Sequence, residues 1–220
     1  MKTPRGFLKL LGAVVGLSLF ASATTAKADI VVYDNFGPGD TYNGVSGFAI
    51  NSTFTQGPSF SPSDSGFLTE ILLGVGHDGS GPLNLQLTLH ADNMGEPGAI
   101  LETINVVVTV PFGVDNMPTQ AVAAGTTILD SSMTYWLIAF NDDAPGTNIT
   151  WSRNIVGDMG IRALSMNGLA GPWNVQMFDL EMPALRVLVE GQVPEPASVA
   201  LFIIALGGLG LMIRRRAAPA

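Results

Sequence analysis

The stretch LNLQLTLH, residues 83–90, alternates without a break. Leu83, Leu85, Leu87 and Leu89 fall on one face of an extended chain, and Asn84, Gln86, Thr88 and His90 on the other. A helix would scatter those leucines around its axis, whereas a strand with a period of two gathers them on one side. The predicted element is a half-buried strand whose histidine faces solvent. INVVVTV (104–110), MTYWLIAF (133–140) and ALRVLVEG (184–191) read as further strands, and WNVQMF (173–178) as another. MTYWLIAF is apolar on both faces, so it is expected to lie centrally, covered on either side. Between these runs stand FGPGD (36–40), GHDGSGP (76–82), NMGEPG (93–98), NDDAPG (141–146) and NGLAGP (167–172). Their Gly, Pro, Asn and Asp supply the positive or pre-set φ that turns need. No amphipathic helix of ten or more residues is evident. Many short strands with frequent turns predict an all-β domain over residues 29–192, an antiparallel β-sandwich of jelly-roll type.

That domain must rest on its hydrophobic core, because the chain has no cysteine to staple it. Disulfides, thiol catalysis and cysteine-ligated metals are excluded. A region of about 165 residues is long enough, since domains near that size bury ~70% of their unfolded surface. Residues 29–193 hold 17 carboxylates against three arginines, Arg153, Arg162 and Arg186, a net charge of −14. Such a surface repels phosphate backbones, so nucleic acid is not an expected partner.

The two ends carry different signals. Lys2, Arg5 and Lys9 precede an apolar stretch from Leu10 to Phe20, followed by small residues ending in Ala26, Lys27 and Ala28. This is the layout of a secretory signal peptide over residues 1–28, with cleavage between Ala28 and Asp29 and Sec-type export machinery as the implied partner. The apolar stretch is shorter than the ~20 residues of a membrane span. Residues 197–213 form a second apolar run with Ser198 as its one polar side chain, closed by Arg214, Arg215 and Arg216. As a helix it would reach about 25 Å, which snorkelling arginines extend toward the ~30 Å hydrocarbon core. The arginines act as a stop-transfer signal and sit on the cytoplasmic side. A C-terminal transmembrane helix and an exported domain are therefore expected together.

Pro194, Glu195 and Pro196 hold the chain extended just before that run, as a protease requires. The triplet, the apolar helix rich in Leu, Ala and Gly, and the terminal arginine cluster together resemble the PEP-CTERM sorting signal of Gram-negative bacteria, with residues 193–220 as the tail. The resemblance implies recognition and removal of the tail by an exosortase, an integral membrane enzyme, and delivery to the cell surface or the exopolysaccharide matrix. LTLHADNMGEPGAILET (87–103) and LDSSMTYWLIAF (129–140) resemble the β-sandwich domains grouped as choice-of-anchor domains, which implies a fold and a location but no chemistry. A single Thr-x-Thr at residues 53–55, with no repeat period, argues against an ice-binding solenoid.

Catalytic signatures are missing: there is no GxSxG, SxxK, P-loop or paired-histidine metal motif around His77 and His90. A non-enzymatic structural or interaction role is expected, and a secreted hydrolase would need a cleft joining one of those histidines to carboxylates. Asp34, Asp40, Asp92, Asp142 and Asp143 lie in carbonyl-rich loops of the kind that bind calcium, although plain turns explain them as well. Of the three tryptophans, Trp136 and Trp151 sit among apolar neighbours. Trp173 follows a Gly-Pro turn and is the candidate for stacking on a sugar ring if the domain is a carbohydrate-binding module or adhesin for exopolysaccharide.

Overall fold

A computed structural model describes residues 28–191, apart from residues 80, 114–116, 142 and 144–146, with backbone alone for 177–180. Residues Asp29–Gly191 form one compact unit. The described residues are all-β, without a helix. In chain order the strands are β1 (Ala28–Asp34), β2 (Asn43–Ile50), β3 (Thr55–Phe60), β4 (Gly66–Leu73), β5 (Val75–Asp78), β6 (Leu83–Asp92), β7 (Pro97–Val108), β8 (Thr119–Val122), β9 (Ile128–Leu129), β10 (Tyr135–Phe140), β11 (Asn148–Arg153), β12 (Met159–Ser165), β13 (Asn174–Glu181) and β14 (Leu185–Gly191).

They assemble into a five-stranded sheet ordered β1-β14-β4-β8 with β9 also on β4, a six-stranded sheet ordered β13-β12-β3-β10-β6-β7, and a three-stranded sheet ordered β2-β11-β5. The β4–β14, β6–β7, β6–β10 and β3–β10 pairs run antiparallel. Both larger sheets turn apolar residues into one core. Leu68, Ile71 and Leu73 of β4 and Leu185, Val187 and Val189 of β14 come from the first sheet; Leu85, Leu87 and Leu89 of β6, with Tyr135, Leu137 and Ala139 of β10, come from the second. Trp151 and Ile149 of β11 join from the third.

Strand β10 lies between β3 and β6, covered on both faces as its composition requires. Tyr135, Leu137 and Ala139 enter the main core, while Trp136 and Ile138 point to the opposite side and form a second cluster with Ala163. Ile161, Leu169, Trp173 and Val175 pack against that cluster.

Two sequence expectations need correction. The GHDGSGP segment is not all turn, because Gly76, His77 and Asp78 belong to β5 and pair with β11. The polar face of β6 is not a solvated face either: Asn84 is exposed, but Thr88 is 0% and His90 2% exposed. Register shifts in the β6–β7 ladder around His90 and the second apolar cluster enclose that end of the strand.

At the β6–β7 hairpin, Asn93 and Glu96 exchange backbone hydrogen bonds across Met94 and Gly95, both at positive φ (56° and 89°). The glycine adopts that conformation without steric cost and the methionine does not.

Candidate functional site

A polar network ties the start of the β-domain to its end. Asn35, 2% exposed, follows β1. Its backbone N–H donates to Leu185 O at 3.1 Å, and its side-chain Oδ1 accepts from Leu185 N at 2.7 Å. Its Nδ2 donates to Pro183 O at 3.0 Å and to Asp158 Oδ2 at 3.1 Å. Tyr33 O–H donates to the same Asp158 oxygen at 2.5 Å. Burial, and then the hydrogen bond to Asp158, push the Tyr33 phenol well above its ordinary range. An amide in this position can satisfy a buried N–H and a buried carbonyl at once, which no apolar side chain could do.

Asp34 and Asp40 meet at the same end, around a guanidinium. Arg186 of β14 lies 2.7 Å from Asp34 Oδ2 and 2.7 Å from Asp40 Oδ1. Burial alone would lower the Arg186 pKa, but hydrogen bonds and charge from the two aspartates outweigh it and raise it. The remaining arginines form a second group. Arg162, buried, stacks over the Phe48 ring at 4.0 Å and donates to Gln56 Oε1, while Arg153 lies over the same ring at 5.2 Å and 3.9 Å from Glu181. Burial, and then the neighbouring Arg153 charge, push Arg162 down to about 10. All three cations between residues 29 and 193 are therefore engaged within the fold.

The other acidic loops are spread apart. Asp92 Oδ1 accepts from Trp136 Nε1 at 2.8 Å, and its Oδ2 from Gly95 N at 3.1 Å. Asp143 accepts from the backbone and side chain of Asn84 at 2.8 and 3.3 Å. Asp142 lies outside the described residues. Among the described residues, no three His, Asp or Glu side chains stand together in a way that could hold a metal ion.

The histidines and tryptophans are mostly internal. His90 Nδ1 lies 2.9 Å from Gly98 O, and its Nε2 lies 2.8 Å from Thr88 Oγ1. Because a carbonyl only accepts, Nδ1 carries the proton. Burial lowers the His90 pKa, partly offset by the bond to Gly98. His90 is thus a structural histidine enclosed by protein, contrary to the solvated one its strand parity suggested. His77 is 5% exposed. Trp136 is 1% and Trp151 0% exposed, the latter donating to Ala184 O at 2.9 Å. Trp173 is partly buried, edge-on to His90 at 6.1 Å between ring centroids. Its ring therefore packs on the second cluster and does not stand clear of the fold as its Gly-Pro approach suggested, although the residue is not fully buried.

The sequence-based reading missed Asn35, Tyr33 and Asp158. Nothing local announces them, since their partners lie more than a hundred positions away. Of the proposed signal-peptide junction, Ala28 and Asp29 open β1 and are exposed, whereas Ala26 lies outside the described residues. Pro194, Glu195, Pro196, Arg214, Arg215, Arg216 and the apolar run at residues 197–213 lie outside them as well. Among the described residues there is no helix long and apolar enough to cross a membrane.

In a comparison with protein families, residues 192–216, which follow β14 in the chain, match the PEP-CTERM protein-sorting motif. The motif implies an exosortase as processing partner and export with sorting to the surface of a Gram-negative bacterium. No curated protein matches the chain.

Proposed function

We propose that the chain is an exported protein whose signal peptide is removed at Ala28–Asp29. Its tail holds it transiently in the inner membrane, and an exosortase then removes that tail and passes the β-domain to the cell surface or matrix. There the domain serves a non-enzymatic structural or interaction role. The observation that carries this reading is the sorting motif at residues 192–216, which begins one residue after the last strand ends at Gly191. The whole β-domain is thereby left on one side of the processing point. The two large sheets around a common core fit a sandwich of jelly-roll type, in keeping with the resemblance to choice-of-anchor domains.

Intact-mass measurement of the protein recovered from membranes and from extracellular matrix tests the proposal. The matrix form is expected to start at Asp29 and to lack everything beyond the Pro-Glu-Pro region. A matrix form that retains Arg214, Arg215 and Arg216 would refute it.

A second reading, a carbohydrate-binding domain for exopolysaccharide, draws on Trp173. Among the three tryptophans it alone is partly exposed, and aromatic faces stack on sugar rings.

A further inference from the structure

Strand β14 occupies the interior of the five-stranded sheet, with β1 on one side and β4 on the other. Leu185, Val187 and Val189 are each 0% exposed and sit in the main core, opposite Leu73, Ile71 and Leu68 of β4. Strand β1 is the edge of that sheet and has β14 as its neighbour. The residues just before β14 are equally embedded: Ala184 N donates to Ser152 O at 2.8 Å, and Ala184 O accepts from Gly74 N at 3.0 Å and from Trp151 Nε1 at 2.9 Å. The Asn35 and Arg186 contacts then lock the first strand to the last.

A chain that emerges from its N-terminus meets these partners in an unfavourable order. When residues 29–184 are available, β1 has no sheet neighbour, β4 lacks one side of its ladder, and the core is open where three aliphatic side chains belong. Asn35, Asp34 and Asp40 face no partner on β14. An open core and a first strand without its sheet partner leave a marginally stable domain short of the burial that offsets the entropy of folding.

We infer that this domain completes its fold only when its last strand arrives, so that the chain stays unfolded until Gly191 has emerged. On the export reading, which this inference extends, Gly191 is the residue directly before the sorting motif. Passage across the membrane is then finished in an unfolded state, and folding begins as the tail is reached. The order is built into the topology: the first strand through must wait for the last.

Ribosome-arrested chains of the natural sequence, with a flexible extension leaving either residue 184 or residue 196 outside the exit tunnel, test this with thermolysin. The shorter chain is expected to be digested at the rate of an unfolded polypeptide, and the longer one to be protected at least tenfold. Val187→Asp in the longer chain is expected to abolish protection. Val122→Asp, at a 66% exposed position on the edge strand β8, is expected to leave it intact. Equal protection at residue 184, or protection that survives Val187→Asp, would overturn the inference. The assay contains no exosortase, so its outcome is separate from the intact-mass test: retention of the tail in the matrix would remove the sorting reading and leave the folding order standing.

Discussion

Replacing Asn35 by alanine isolates the contact between the first and last strands. The substitution removes the acceptor 2.7 Å from Leu185 N and the donor 3.0 Å from Pro183 O, both at buried residues. It also removes one of the two side-chain donors on Asp158. Leaving a buried polar group without a partner costs ~1–3 kcal/mol, so two such groups predict a loss of ~2–6 kcal/mol. For a domain of this size that corresponds to a fall in Tm of roughly 4–24 °C. Urea unfolding followed by the fluorescence of Trp136 and Trp151, which are 1% and 0% exposed, reports the loss directly. The midpoint should fall with the slope unchanged, as for a change in stability without a change in the surface exposed on unfolding. Asn105→Ala, an exposed amide on β7, serves as the control and is expected to stay within ~0.5 kcal/mol of the parent. If Asn35→Ala also stays within that margin, the polar contacts contribute nothing net and apolar packing alone holds the strands together.

Acid should act through His90, whose folded-state pKa is lowered by burial below the ordinary 6.5. Between the lowered value and 6.5 the unfolded chain binds more protons, so stability rises with pH across that window; it is fully present above it and lost as pH falls. A Tm profile should show this slope, and His90→Gln should lack it; parallel profiles would refute the assignment. Trp173→Ala should cost ~1–3 kcal/mol, less than the ~3–5 kcal/mol for fully buried Trp151→Ala. Matrix retention at a temperature where Trp173→Ala is still folded tests the carbohydrate reading, and full retention would remove its best residue. Calcium or a chelator should leave the melting curve unchanged, because Asp34 and Asp40 already neutralise Arg186 and the Asp92 and Asp143 carboxylates accept protein donors. A calcium-dependent rise of several degrees, as mass action gives for a specific site, would overturn that expectation.

How much of this was legible in one dimension depends on the range of the signal. LNLQLTLH and MTYWLIAF report their own faces, because a strand's period of two is a property of the backbone alone. They placed Leu85, Leu87 and Leu89 in the core and β10 between covering layers. The sorting tail is legible for a similar reason: a proline-bounded triplet, an apolar run and three arginines stand next to one another in the chain. What covers a polar face is another matter. His90 has the parity of a solvated residue, and only the approach of Trp173 and the Gly98 carbonyl encloses it. Strand β3, which no sequence pattern singled out, carries Gly57-Pro58 and lies between β12 and β10. There the glycine is required, since a Cβ would stand 1.8 Å from Leu137 O. Asp34 and Asp40 read in sequence as candidate calcium ligands, and only the structure brings Arg186 of β14 against both, 146 residues beyond Asp40. Sequence alone determined the alternation, most of the turns and the sorting signal, because each is written in neighbouring residues. The tertiary structure alone decided which carboxylate meets which cation, that both histidines are buried and which strands close the sheet, because those pairings are made by parts of the chain that no local pattern connects.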